Sequence, residues 1–290
     1  MSWRTVAITG RAKLDFRLGY MLIRKETEQR VYLDEVSVIV LESTAISLTT
    51  YLVKEIIDRK IKTIFCDELH NPIGEVSNFY NHTSSSANII EQIGWNDVRK
   101  GEVWRNIIER KIRNQAKVLN KFGESGKAEM LLHYANSVEN SDSTNREGHA
   151  AKVYFNALFG NDFSRGKDNS INAALNYGYA IVLSVFSREI VAFGYLTQLG
   201  INHHNTYNQF NFSCDLLEPF RPFVDNLVRE CEFKDFMREQ KHVMLSLLSR
   251  AVMIDGQKHY LLNAISIYTK SVLNAMNNCG EISFADFIED

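Results

Sequence analysis

The sequence predicts an α+β protein, with an N-terminal β-sandwich-like domain followed by a larger all-α domain. In the first 75 residues, apolar side chains recur mostly at every second position, as in strands. From about Trp95 onward they recur at helical spacing, and a polar stretch separates the two patterns. We therefore predict a β-rich domain at 1–75, a linker at 76–95 and a helical domain at 96–290.

The strands of the first domain follow from three segments. Leu14, Phe16 and Leu18 alternate with polar residues. Gly19 then predicts a turn or bulge before the pattern resumes at Tyr20. The segments RVYLDEVSVIVLES and KTIFCDE have the period and the β-branched residues of strands, and TAISLTTYLVKEIIDRK between them has helical spacing. The spacing of the apolar residues does not distinguish a sandwich from a barrel-like sheet.

The first long helix of the second domain has two different sides. Residues 99–121 contain eight Lys or Arg and two Glu, and their apolar residues fall on one side of a helical wheel. Four basic residues gather on the other side: Arg110, Arg113, Lys117 and Lys121. Such a face can follow the phosphates of DNA, although it is equally typical of a solvated helix. Residues 271–290 have the opposite character, with four acids and no base.

The remaining helices are predicted from apolar spacing. DNSINAALNYGYAIVLSVFSREIVAFGYLTQLG opens with N-cap residues and is apolar on most sides, as expected of a buried helix. PFVDNLVRECEFKDFMREQ and HYLLNAISIYTKSVLNAMNN continue the helical pattern, whereas NSVENSDSTNREG is a polar loop.

Composition excludes several classes of protein. A hydrophobic content of 45% and a charged content of 23% are ordinary for a soluble globular chain. No stretch has the roughly 18 apolar residues of a membrane span, and MSWRTVAITGRAKLDF does not resemble a signal peptide. The four cysteines form no CxxC pair, so we expect neither a zinc ribbon nor disulfides, and we expect a reducing cytosol. KFGESGKAEM and VAITGRAK lack the residues of nucleotide-binding loops.

Several acidic and histidine residues could carry chemistry. Glu147 opens a helical run, where an acid usually interacts with the helix dipole. His203 and His204 follow a helix in a polar loop, where histidines are often only surface residues. Asp215 and Glu218 could be acids at a helix N-terminus. Taken together, two carboxylates and an imidazole also form a plausible metal site, which suits manganese and tolerates magnesium.

Two of the three prolines in the chain favour the metal interpretation. Pro219 fixes one φ angle of a first helical turn, and Pro222 lacks the N–H that would bond the carbonyl of Glu218. The turn is therefore kinked or tightened. Asp215 and Glu218, three residues apart, then project from one rigid face, with Arg221 near enough to hold a phosphate.

Several segments resemble the CRISPR-associated spacer-acquisition integrases, the metal-dependent DNA endonucleases of CRISPR adaptation, and in particular their type II branch. These are MSWRTVAITGRAKLDFRLGYMLIR, VYLDEVSVIVLESTAISLTT, KTIFCDELHNP, INAALNYGYAI and SCDLLEPFRPFVD, in the family's order over nearly the whole chain. The resemblance implies a β-sandwich joined to a helical domain, and a homodimer. Two such dimers would flank a dimer of a small ferredoxin-like partner in a hetero-hexameric complex.

The resemblance also implies a metal triad. It comprises a Glu at a helix start, a His shortly after a Gly, and an acid in a D-x-x-[DE] motif. These motifs match Glu147 in REGHAAKVYF, His203 in GINHHN and Glu218 in DLLEPFRP, as catalytic residues and ligands of Mg²⁺ or Mn²⁺. Many relatives have Asp at the position of Glu218.

Three neighbouring residues are expected to have supporting roles: Asp215, Arg221 and His204. Asp215 matches the acidic residue ahead of the third ligand and would act in the second shell or through water. The Gly-x-x-His spacing from Gly200 favours His203 as the ligand. The adjacent histidine, His204, is the alternative.

The implied reaction is a transesterification that joins 3′-hydroxyl ends of a short captured DNA, the prespacer, to the CRISPR repeat. The implied partners include the type II effector nuclease and a ring-forming DNA-end-binding protein. Two alternatives stay open. The chain could be a structural subunit that holds DNA without catalysis, or a helical metallohydrolase that acts on a small molecule.

Overall fold

The chain divides into two compact units, residues 1–81 and 82–290. The computed structural model describes residues 4–68, 72–76, 85–278 and 280–288. Residues 77–84 of the predicted linker, and Cys279 among the four cysteines, lie outside the described residues. The other three cysteines form no disulfide.

The described residues of the first unit form two four-stranded sheets around a shared core. Its strands are β1 (Arg4–Ile8), β2 (Ala12–Arg17), β3 (Tyr20–Arg24), β4 (Glu28–Tyr32), β5 (Val36–Leu41), β6 (Ile46–Leu48), β7 (Lys62–Cys66) and β8 (Pro72–Glu75). One sheet has the order β1-β5-β7-β8 and the other β4-β3-β2-β6, and both mix parallel and antiparallel pairs. Apolar side chains of both sheets meet in one cluster, with helix α1 (Thr50–Asp58) packed against it. The predicted sandwich-like domain is confirmed.

The predicted turn at Gly19 is a two-residue connection between β2 and β3. Leu18 and Gly19 have φ values of 50° and 85° there. A side chain on Gly19 would also meet the ring of Tyr32 at 3.1 Å. Glycine therefore suits this turn for its backbone conformation and for the space it leaves.

The second unit is mostly helical. Its helices are α2 (Ser85–Ile93), α3 (Asp97–Lys121), α4 (Ser125–Asn136), α5 (Arg146–Phe159), α6 (Ser170–Ala192), α7 (Asn211–Leu217), α8 (Arg221–Cys231), α9 (Arg238–Leu245) and α10 (Leu261–Asn278). The long helix α6 is buried along most of its length, as its apolar sequence predicts. Gly178 lets α6 approach its neighbours closely, since a Cβ there would lie 2.5 Å from Val224 and 2.6 Å from Met244.

The second unit departs from the all-α prediction at a β-hairpin within the described residues. Strands β9 (Ala251–Ile254) and β10 (Gln257–Tyr260) form an antiparallel hairpin. Asp255 and Gly256 connect them with φ values of 51° and 72°. Asp-Gly is a favoured pair in two-residue hairpin turns, and the helical spacing of the flanking segments obscured this signal.

Helix α2 lies within the stretch predicted to be a linker. It belongs to the second unit, where Gln92 donates hydrogen bonds to the carbonyls of Leu196 and Leu199. Among the described residues, no helix is both long and apolar enough to cross a membrane.

Candidate active site

The three residues predicted as ligands lie in three elements of the second unit. Glu147 is in the first turn of α5. His203 is in the loop between α6 and α7, and Glu218 begins a short 3₁₀ turn between α7 and α8. The prolines thus produce the tightened turn that their positions predict, and the carbonyl of Pro219 accepts a hydrogen bond from the buried amide of Asn114 at 2.9 Å.

Glu147 is not needed to cap its own helix. The side chain of Asn145 accepts the backbone N–H of Gly148, and Asp142 accepts the N–H of Glu147 at 3.0 Å. These two side chains satisfy donors at the start of α5 that would otherwise lack partners. The carboxylate of Glu147 is therefore free to point elsewhere, and it contacts the ammonium of Lys111.

Lys111 brings Glu147 and Glu218 together. Its Nζ contacts Glu147 Oε1 and lies 2.5 Å from Glu218 Oε2. Two oxygens that contact one ammonium are within about 6 Å of each other. Burial lowers the pKa of Lys111, but the charges of Glu218 and Glu147 outweigh this effect, so its pKa lies above the ordinary value.

Lys111 was not predicted from the sequence, although α3 carries a signal for it. Ile107, Ile108 and Ile112 belong to the buried face of the helix, and Lys111 lies on that same face. A lysine on a buried helix face needs an anionic partner, because an unpaired buried charge is costly. A lysine on the buried face of a helix, rather than any motif, is therefore the sequence signal for this ion pair.

Arg221 holds the second oxygen of Glu218. Its Nε donates to Glu218 Oε1 at 2.8 Å, and its guanidinium lies 4.6 Å from the ring centre of Tyr179. Burial alone would raise the pKa of Glu218, but Arg221 and Lys111 hold it well below its ordinary value. Glu218 is thus an ionised carboxylate clamped between two cations, and Arg221 is already paired rather than free for a phosphate.

Tyr179 in turn donates a hydrogen bond to Asp225 on α8. Asp225 is buried, and its burial raises its pKa to about 6, against the opposing effect of the Tyr179 hydrogen bond.

One ring nitrogen of His203 is fixed by Asp215, and the charges of the two glutamates act on the ring. Its Nδ1 lies 2.6 Å from Asp215 Oδ1, and its ring makes an edge contact with Trp104 at 5.8 Å. The hydrogen bond with Asp215 raises the pKa of His203 more than partial burial lowers it, and the charges of Glu218 and Glu147 raise it further. Nε2 has no hydrogen-bond partner among the described residues, so it is the nitrogen available to a ligand.

Asp215 fixes the loop that carries His203. Its buried carboxylate also accepts the backbone N–H groups of Ile201 at 2.5 Å and of Asn202 and His203 at 3.1 Å each. Gly200 precedes this loop without space for a side chain. Asp215 therefore positions the imidazole from behind, consistent with a supporting role.

His204 lies elsewhere. It is exposed and lines a separate depression of about 530 Å³, together with Lys100 and Tyr207. Of the tandem pair, only His203 is held by Asp215.

The four basic residues predicted to follow DNA phosphates all have acidic partners. The pairs are Arg110–Asp286, Lys117–Asp286, Arg113–Glu109 and Lys121–Glu230. Acids of α3, of α8 and of the C-terminal segment therefore lie against this basic face. A contact between these four residues and DNA stays a prediction, and it requires the ion pairs to open.

The donor set fits a divalent cation. Glu147 and Glu218 supply carboxylate oxygens and His203 an imidazole nitrogen, a mixture suited to manganese or magnesium. Glu218 Oε2 is buried and accepts no hydrogen bond of good geometry from the described residues, although Lys111 Nζ is 2.5 Å away. Among the described residues, no three acidic, histidine or cysteine side chains form a ready ion site, and the ammonium of Lys111 contacts both carboxylates.

The comparisons with known proteins agree on one family. The model for "CRISPR associated protein Cas1" matches residues 6–256. A curated protein of Neisseria meningitidis, "CRISPR-associated endonuclease Cas1", is 33% identical over 78% of this chain and 74% of its own length.

Two solved structures have the same fold. A casposase bound to its integration product has a TM-score of 0.77 and 16% identity, and covers 97% of this chain and 92% of its own. A Cas6-RT-Cas1–Cas2 complex has a TM-score of 0.72 and 16% identity, over 96% of this chain and 35% of that one.

Proposed function

Because this chain belongs to the Cas1 family of CRISPR-associated proteins, we propose that it cuts and joins DNA strands at Glu147, His203 and Glu218. One observation carries the assignment to these residues. Glu147 and Glu218, far apart in sequence, contact the same ammonium, and both charges raise the pKa of His203. Acids that served only as helix caps would have no reason to meet at one buried ammonium.

The reaction we propose is a transesterification. The 3′-hydroxyl of a short DNA attacks a phosphodiester of the CRISPR repeat, so that one P–O bond forms and the 3′-oxygen of the cut strand leaves. With water as the attacking group, the same site hydrolyses the strand. A bound Mg²⁺ or Mn²⁺ would polarise the phosphate and stabilise the leaving oxygen.

The chain's own residues prepare the site for this ion. Glu147 and Glu218 would each offer an oxygen, and His203 would offer Nε2. Asp215 orients the imidazole by holding Nδ1, which leaves Nε2 as the nitrogen that would bind the ion. Arg221 holds Glu218 ionised and restricts its rotation.

We propose DNA, a second copy of this chain and a small ferredoxin-like protein as partners. A fold relative solved within a Cas1–Cas2 complex supports the small partner. The fold likeness to a casposase bound to its integration product supports a role in strand joining. An effector nuclease and a ring-forming DNA-end-binding protein are further proposed partners, with no surface assigned to them.

The test is a strand-joining assay with a supercoiled plasmid that bears the repeat, the purified small partner, and Mn²⁺, Mg²⁺ or EDTA. Separate Glu147→Gln, His203→Ala and Glu218→Gln variants should each join DNA at least about 100-fold more slowly, as expected when a group that stabilises the transition state is removed. EDTA should abolish joining.

Two substitutions serve as matched controls. His204→Ala removes the adjacent imidazole, and Glu102→Gln removes a carboxylate of α3 whose ion-pair partner among the described residues is Arg99. Both should join at the wild-type rate. If all three site variants fold and also join at that rate, the chain is a DNA-holding subunit without catalysis.

A further inference from the structure

The ammonium of Lys111 lies where the proposed ion would bind. Its side chain is 8% exposed, and it contacts the two oxygens that face each other across the site, Glu147 Oε1 and Glu218 Oε2. The mostly buried α3 fixes the start of this side chain. The position is therefore built into the fold and is not a chance contact of a mobile surface lysine.

The ammonium has a physical role in the absence of an ion. Glu218 is buried, and the carboxylate of Glu147 lies close to it. Two like charges at this distance repel, and the low dielectric of a protein interior strengthens that repulsion. A single positive charge between them neutralises it and holds both carboxylates in position.

An ammonium and a divalent cation cannot occupy this position together. They would compete for the same two oxygens, and their positive charges would repel each other. Binding of the ion therefore requires Lys111 to withdraw. Its four-carbon stem can rotate, and its three donors can then turn to another anion at the site.

We propose that Lys111 is a built-in occupant of the metal position, which holds the two glutamates in place until an ion displaces it. This inference rests on the proposed function, because it concerns the same ion. Lys111 thus weakens metal binding while it stabilises the metal-free protein. After displacement, its ammonium is available to a phosphate of the bound DNA.

The test is a calorimetric titration of the full-length protein with Mn²⁺ alone, without DNA. The Lys111→Met variant keeps most of the length of the side chain and removes its charge. It should bind Mn²⁺ at least about tenfold more tightly than the wild type, because the competing charge is gone. In EDTA it should unfold at a lower temperature than the wild type, and Mn²⁺ should raise its Tm by more than it raises that of the wild type.

Lys117→Met is the matched control, since Lys117 is on the same helix but pairs with Asp286. It should leave the Mn²⁺ affinity unchanged. If Lys111→Met does not fold in EDTA, Lys111→Gln replaces it with the same expectation, because the amide can still donate to a carboxylate.

The outcomes separate the two proposals. If the wild type binds Mn²⁺ as tightly as the Lys111 variant, or more tightly, the inference that the ion displaces Lys111 is refuted. The proposed metal site is then unaffected. If neither protein binds Mn²⁺, the metal site and the inference fail together. Tighter binding by the variant, with no change in the control, supports both.

Discussion

Gly200 offers a sharp test of how tightly the His203 loop is built. A Cβ at this position would lie 2.4 Å from the carbonyl oxygen of His203 and 2.7 Å from Asp215 Oδ2. Atoms that are not bonded to each other settle at about 3.5 Å, so the Gly200→Ala substitution must shift the loop by roughly 1 Å. Both displaced groups, the carbonyl of His203 and the carboxylate of Asp215, belong to the structure that holds the imidazole. The substitution should therefore move His203 itself.

The size of the effect follows from this displacement. Forcing a methyl group into a close-packed site typically costs about 1–3 kcal/mol of stability. A misplacement of about 1 Å at a reacting centre can slow a reaction by about 100-fold. We expect Gly200→Ala to lose stability within that range in urea unfolding, and to join DNA about 100-fold more slowly while the protein stays folded.

The control is Gly126→Ala in α4, where an added Cβ meets nothing within 4 Å. Alanine favours a helix over glycine by up to about 1 kcal/mol, so this variant should be as stable as the wild type or more stable. If Gly200→Ala matches the wild type in both stability and joining rate, the loop tolerates the displacement. The argument that Gly200 and Asp215 together fix His203 is then refuted.

Two further predictions concern charges outside the site. Because burial raises the pKa of Asp225 from 3.8 to about 6, the folded state binds its proton more tightly than the unfolded state. Relative to Asp225→Asn, the wild type should therefore lose up to about 3 kcal/mol of unfolding free energy as the pH rises from 4 to 7, and a pH-independent difference in urea unfolding would contradict this. Asp286→Asn should release Arg110 and Lys117 and so tighten binding to duplex DNA several-fold at low salt, measured by fluorescence anisotropy. An unchanged affinity would show that this face of α3 does not contact DNA.

Much of the fold was predictable because its signals are local. The alternating strands, the turn at Gly19 and the buried helix α6 each depend on residues that are close in sequence. The Asp255–Gly256 hairpin was equally local, and it was missed because helical spacing on both sides suggested one continuous pattern. Helix α2 was missed because its short run of apolar residues lies next to a polar stretch.

The candidate site was only partly predictable, since its contacts join distant elements. Motifs carried over from the family indicated Glu147, His203 and Glu218. No sequence spacing indicates that Lys111 reaches both glutamates, because that depends on how α3 packs against α5 and the 3₁₀ turn. The pairing of α3 with Asp286 is of the same kind. The basic helix and the acidic C-terminal segment were both visible in the sequence, but not their contact.

The carboxylate of Asp215 is surrounded by four donors: three backbone N–H groups and one ring nitrogen. These donors occupy its lone pairs, so a cation could bind to it only if one of these hydrogen bonds were broken. An amide in its place would turn an NH₂ group toward N–H groups that need an acceptor. The position therefore requires a side chain that only accepts hydrogen bonds, and asparagine cannot replace it without loosening the backbone that carries the imidazole.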